Sequence, residues 1–202
     1  MKLDLSCKEL CSEELEKIDL TGVTELYCPY NNLTYLPPLP STLKELYCHH
    51  NQLTYLPKLP STLEYLYCHH NQLTYLPKLP STLIKLDCSD NQLTYLPELP
   101  TTLGVLDYAN NKIQNIPDIP YSITTCWCND DTFYTSLSLA TLKLKQHNEK
   151  RIKLGLEIVR TFPKKEEWDD INQLYTISRY EPDGDMFEQS MNAIKNLLES
   201  KK

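Results

Sequence analysis

The sequence predicts a repeat solenoid, mainly β, in which each coil is a short parallel strand with a polyproline-II return, ending in an α-helical C-terminal cap. Three observations predict it. From Val23 the 202-residue chain repeats itself every twenty residues for more than a hundred residues. Within each repeat the apolar residues stand first two apart and then three apart. After Phe133 the prolines lose that spacing and helix-forming residues take over.

Residues 1–22 read as an imperfect N-terminal cap, residues 23–135 as the repeat solenoid, and residues 136–202 as a helical C-terminal region. Coil one starts at Val23. Coil two, 43–62, reads LKELYCHHNQLTYLPKLPST, and coil three, 63–82, copies it as LEYLYCHHNQLTYLPKLPST. Coils four and five, from Leu83 and Leu103, keep the pattern L-x-x-L-x-C-x-x-N-x-L-T-x-L-P-x-L-P-x-x with more changes. A sixth copy decays but holds register, with Ile123, Cys126, Cys128, Asp131 and Phe133 on the repeat's Leu, Leu, Cys, Asn and Leu positions.

Each coil can be built from spacing alone. Leu46 and Cys48 are two apart, so an extended strand turns both to one side and Glu45 and Tyr47 to the other. Leu56 and Leu59 are three apart, as are Pro57 and Pro60, the period of polyproline II. Two prolines so placed forbid an α-helix there. Twenty residues leave no room for a returning helix of normal length, and one coil alone buries too little to fold. Stacking supplies both strand hydrogen bonds and a core shared between neighbours.

The column Asn31, Asn51, Asn71, Asn91 and Asn111 has a structural task. A side-chain amide donates and accepts, so stacked amides satisfy turn backbone that would otherwise be buried unpaired. Asp131 in copy six cannot donate when ionised, which predicts that the ladder ends there. The eight cysteines follow the same logic. Cys28, Cys48, Cys68, Cys88 and Cys128 share one inward column, with Tyr108 as the exception, and Cys126 also faces inward. Their spacing is the repeat's own and not that of metal ligands. In-register parallel strands orient neighbouring sulfurs poorly for a disulfide. Reduced core thiols are expected, hence a reducing, cytoplasmic compartment.

The quoted pattern resembles the leucine-rich repeat in its short bacterial form, carried by type III effectors of the YopM and IpaH kind and by proteins of giant amoebal viruses. The resemblance covers roughly residues 23–135 and implies a protein-interaction module, bacterial or viral, that binds through its concave strand face. It extends the expected cytoplasm to that of a host cell. IpaH-type effectors add a ubiquitin-ligase domain with a nucleophilic Cys in a C-x-D motif. Here Cys88-Ser89-Asp90 and Cys128-Asn129-Asp130 match that motif but fall on the core column, where a thiol is inert. Some 67 residues follow the last coil, too few for that domain. No catalytic residue is assigned, and the chain is not read as an enzyme.

Function is expected where the stack leaves residues free to vary. The outward columns run through Glu25, Glu45, Tyr65, Lys85, Val105 and Thr125, then Tyr27, Tyr47, Tyr67, Asp87, Asp107 and Trp127. Pro29, His49, His69, Ser89, Ala109 and Asn129 form a third, and Tyr30, His50, His70, Asp90, Asn110 and Asp130 a fourth. Two zones result: tyrosine and histidine on coils one to three, and acids on coils four to six with Trp127 at the far end. Tyr and Trp offer large contact area with few rotors to freeze, and acids suit a basic partner patch. The partner-binding residues expected are Glu45, Tyr27, Tyr47, Tyr65, Tyr67, His49, His50, His69, His70, Asp87, Asp90, Asp107 and Trp127. The rival account is recent duplication, which copied coils two and three with their exposed residues unselected.

Four histidines on adjacent coils raise a metal and a pH reading. Outward side chains on a flat sheet diverge, and no carboxylate stands out to orient the imidazoles, so no metal or other cofactor is expected. Stacked imidazoles would repel when protonated. On the return side Tyr35, Tyr55, Tyr75 and Tyr95 form another ladder that recurs too faithfully to read a partner, and stacking is the expected account.

The net charge of −7 argues against nucleic acid. Only four glycines argue against phosphate-cradling loops. No membrane span and no secretory leader are expected, and the chain is expected to act as a monomer. In the C-terminal region residues 143–165 carry a net +6 and residues 166–190 a net −7. Helices are expected over Arg151–Phe162, around Trp168–Tyr175, and from a capping box at Asp185–Glu188. They would cover the open end of the solenoid or, alternatively, recruit other machinery as an adaptor.

Overall fold

The computed structural model describes residues 1–114, 117–127 and 133–134, and residues 146, 147, 150 and 153. The chain divides into two compact units, Met1–Leu139 and Ala140–Lys202. In the second unit residues 146, 147, 150 and 153 are helical. The helices expected over Arg151–Phe162, Trp168–Tyr175 and from Asp185 otherwise lie outside the described residues, as do Cys128 and Asp131. Among the described residues no helix is long and apolar enough to cross a membrane.

The first unit is one sheet in sequence order. Its strands are β1 (Lys2–Asp4), β2 (Glu25–Tyr27), β3 (Glu45–Tyr47), β4 (Tyr65–Tyr67), β5 (Lys85–Asp87), β6 (Val105–Asp107), β7 (Thr125–Trp127) and β8 (Phe133–Tyr134). From β2 to β7 all pairs are parallel and each residue faces its counterpart twenty residues on, Leu46 opposite Leu66 for example. In every one of these strands the middle residue is buried and its neighbours are half-buried. The core is a set of columns: Leu26, Leu46, Leu66, Leu86 and Leu106, then Cys28 to Cys88, then Leu33 to Leu93, all fully buried. Leu56 and Leu59 are buried on the return segment, as their spacing predicts.

Two ladders tie coil to coil beyond the sheet. Asn71 Nδ2 donates to the carbonyls of Cys48 (3.1 Å) and Cys68 (3.0 Å), while its Oδ1 accepts from Leu53 N at 2.9 Å. Asn51, Asn91 and Asn111 repeat this, and Asn31 binds Leu5 O and the amides of Lys8 and Leu10. The second ladder is at the opposite turn. The hydroxyls of Thr42, Thr62, Thr82, Thr102 and Ser122 donate to the carbonyls of Val23, Leu43, Leu63, Leu83 and Leu103 at the start of their own coils, and those of Thr62, Thr82 and Thr102 also to Ser41, Ser61 and Ser81 of the coil before.

Residues 1–22 are a shifted coil. Leu3 pairs with Leu26, an offset of 23 residues and not twenty, and Leu5 extends the ladder to Tyr27 O at 2.7 Å. The return is replaced by a single helical turn, α1 (Ser12–Leu15), whose Leu15 is fully buried. Glu14 accepts from Cys11 N at its start (2.9 Å). Ser12 Oγ accepts from Thr34 N and Tyr35 N and donates to Tyr35 O, covering the backbone of coil one. At the other end the chain turns back at Phe133, which lies in β8, antiparallel to β7 and opposite Trp127.

Candidate partner-binding face

The strand residues that flank each buried leucine make one continuous surface. Glu25, Glu45, Tyr65, Lys85, Val105 and Thr125 share one column, and Tyr27, Tyr47, Tyr67, Asp87, Asp107 and Trp127 the other. Parallel in-register pairing forces identical side chains into stacks. Tyr27 and Tyr47 lie ring on ring at 4.2 Å and Tyr47 and Tyr67 at 4.5 Å, with planes within 10° of parallel. Lys2 Nζ sits 4.0 Å from the Tyr27 ring and Lys85 Nζ 4.8 Å from the Tyr67 ring, so an ammonium ends the stack on either side. Glu45 Oε2 accepts from the Tyr47 hydroxyl at 3.1 Å and the Tyr27 hydroxyl at 3.4 Å. Burial and these bonds push the Tyr47 phenol well up from its usual range.

The acids follow on the same column. Asp87 and Asp107 are directly opposite one another. Burial works against the Asp87 carboxylate, but the His69 imidazole and the Ser89 hydroxyl and N–H outweigh it and hold Asp87 below its usual range. Ser89 Oγ donates to Asp87 Oδ1 at 2.8 Å. Asp107 is raised: burial disfavours its charge, the Ala109 N–H only partly offsets this, and Asp87 and Asp90 add to it.

The histidines are neither divergent nor far from carboxylates, contrary to expectation. Parallel register stacks His49 on His69 and His50 on His70. His69 Nδ1 lies 3.2 Å from Asp87 Oδ2, and His70 Nε2 lies 3.5 Å from Asp90 Oδ2. Among the described residues no group of three or more such side chains is placed so that it could hold a metal ion. The third column also sits deeper than the sequence implies: Pro29, Ser89 and Ala109 are buried and His49 and His69 half-buried. In the fourth, Tyr30, His50, His70, Asp90 and Asn110 all have φ between 50° and 54°, the left-handed turn out of the strand. Asn110 Nδ2 donates to Asp90 Oδ1 at 3.0 Å.

Several residues fall outside the face. Cys28, Cys48, Cys68, Cys88 and Cys126 are buried free thiols. Burial pushes Cys28 up to about 12 and raises Cys48, Cys68 and Cys88 as well. Cys88 Sγ is only 3.3 Å from Asp107 O, a core contact. On the return side Tyr55, Tyr75 and Tyr95 are 42%, 43% and 52% exposed. The threonine ladder and the left-handed column were not foreseen. The recurring Ser-Thr or Thr-Thr pair after Leu-Pro was the available signal for the first.

No protein-family model matches the chain, and no curated protein does. Among solved structures it is similar to the leucine-rich-repeat domain of a Shigella effector, at 39% identity and a TM-score of 0.55, over 58% of this chain and 53% of that one. It is also similar to YopM, a leucine-rich effector protein from Yersinia pestis, at 31% identity and a TM-score of 0.54, over 62% of this chain and 41% of that one. The chain thus spans about half of the first and less of the second. Its coils are leucine-rich repeats like those of these bacterial effectors.

Proposed function

We propose that this leucine-rich-repeat chain is a non-catalytic protein-interaction module that holds a partner protein on its concave strand face. One observation carries the proposal: the stack of Tyr27, Tyr47 and Tyr67, fixed by Lys2, Lys85 and Glu45 before any partner arrives. Aromatic area that is already ordered loses little side-chain entropy on binding. Beside it Asp87 has the His69 imidazole 3.2 Å away, whereas the equivalent neighbour of Asp107 is Ser89. A basic side chain on the partner would complete Asp107 as His69 completes Asp87. Buried free thiols and the likeness to bacterial effectors support a reducing cytoplasm, that of a host cell included.

A second reading, a duplicated surface with no dedicated partner, is favoured by the near-identity of coils two and three. Proximity labelling with the intact protein and with Tyr47→Ala, Tyr67→Ala, Asp87→Ala and Asp107→Ala combined separates the two. Loss of a defined set of neighbours from a variant with unchanged circular dichroism is expected. An unaltered set of neighbours would remove the strand face from consideration.

A further inference from the structure

The four imidazoles of coils two and three form a block with two different ends. His49 and His69 stack at 4.4 Å, His50 and His70 at 4.2 Å, and the remaining neighbours meet edge-on at 5.5–5.7 Å. On the coil-four side stand Asp87 against His69 and Asp90 against His70, with Asp107 behind them. On the coil-one side stand Pro29 and the ring of Tyr30, stacked on His50 at 4.3 Å and edge-on to His49. A proton on His69 or His70 therefore lands beside a carboxylate. One on His49 or His50 lands between imidazoles and a phenol ring; the Nδ1 atoms of His49 and His69 are both buried without a hydrogen bond, but that of His69 has a carboxylate oxygen at 3.2 Å.

We propose that this block is a proton-operated joint: when neutral it fastens coil two to coil three, and when His49 and His50 are charged it drives the two coils apart. Stacked imidazoliums carry like charges about 4 Å apart with no counter-charge between them. Burial first, and then the neighbouring imidazoles, lower His49 to about 4 and His50 in the same direction, outweighing the opposite pull of Asp87 on His49 and of Asp90 on His50. An opened chain binds these protons near the ordinary value of 6.5. As pH falls from there toward about 4 the opened form takes up protons that the stacked form refuses, so the closed joint loses ground over that window. The joint operates whether or not the face holds a partner.

The bonds to watch are Cys48 N to Tyr67 O (2.9 Å) and His50 N to His69 O (3.1 Å), which link coil two to coil three. Their counterparts, Cys88 N to Asp107 O and Asp90 N to Ala109 O, link coils four and five where no imidazole lies. Amide hydrogen exchange, corrected for intrinsic rate, should show the first pair losing at least about tenfold more protection than the second between pH 6.5 and 4.5. The double variant His49→Ser with His50→Asn gives coil two the side chains that Ser89 and Asn110 already place on the same backbone. It should erase that difference. Equal loss at both pairs in the native protein, or a variant that still shows the excess, overturns the proposal. So does an NMR titration in which the His49 ring takes up its proton near 6.5, a measurement that needs no variant.

Discussion

An asparagine amide in this fold serves two coils at once, and the consequence can be measured at Asn71. Its Nδ2 bonds carbonyls of coils two and three, and its Oδ1 holds the Leu53 amide. Asn71→Ala strands the Leu53 amide, while the Cys48 and Cys68 carbonyls keep Asn51 and Asn91, so a loss of about 2 kcal/mol in urea unfolding is expected. Asn71→Asp keeps the acceptor but sets a carboxylate against two carbonyls, and should be no better. The thiols give a second expectation at this scale. A native protein treated with iodoacetamide at pH 8 should be alkylated at exposed Cys7, with Cys28, Cys48, Cys68 and Cys88 modified only after denaturation. Both roles were legible because each residue recurs on a fixed column. The left-handed turn was not. Glycine normally advertises a positive φ, and here tyrosine, histidine, aspartate and asparagine occupy it instead.

The strands owe their side-chain contacts to register, and register makes attraction and repulsion equally systematic. Where it aligns Tyr27, Tyr47 and Tyr67 it builds a stack; where it aligns Asp87 and Asp107 it sets like charges opposite one another. Asp107→Asn keeps an oxygen for the Ala109 amide, which Asp107 Oδ1 now accepts at 3.0 Å, and removes the repulsion. A gain of about 0.5 kcal/mol at pH 7 is expected from thermal or urea unfolding. Because the folded carboxylate is raised, its penalty is present at neutral pH and fades as acid protonates it, so the gain should shrink as the pH falls through that range. Column membership was readable from the repeat, but what a column does depended on depth and partners. Sequence placed His49 and His69 outward, whereas the structure half-buries both and sets His69 against Asp87, because the chain is already turning there. The ends were less legible still. An offset of 23 residues hides the match of Leu3 to Leu26, and nothing in a decayed repeat announces that Phe133 will reverse direction in β8.

From coil one to coil five the strand pairing and the asparagine ladder join each coil to its neighbour, and this makes the twenty-residue unit removable. Deleting residues 63–82 would join Thr62 to Leu83. It would leave Asn91 facing the carbonyl of Cys48 as it now faces that of Cys68, and Thr82's place would fall to Thr102. Leu86 would pair with Leu46, as Leu66 now does. The shortened chain should fold with the same circular dichroism, a lower stability and a urea m-value reduced in proportion to the lost coil. Deleting only residues 63–72 removes the same kind of sequence but half a period, setting the asparagine column against the proline return and the strands out of register. That chain should not fold cooperatively. If the two deletions behaved alike, neighbour-to-neighbour stacking would not be what holds the coils, and the strand-face columns built on it would lose their foundation as well.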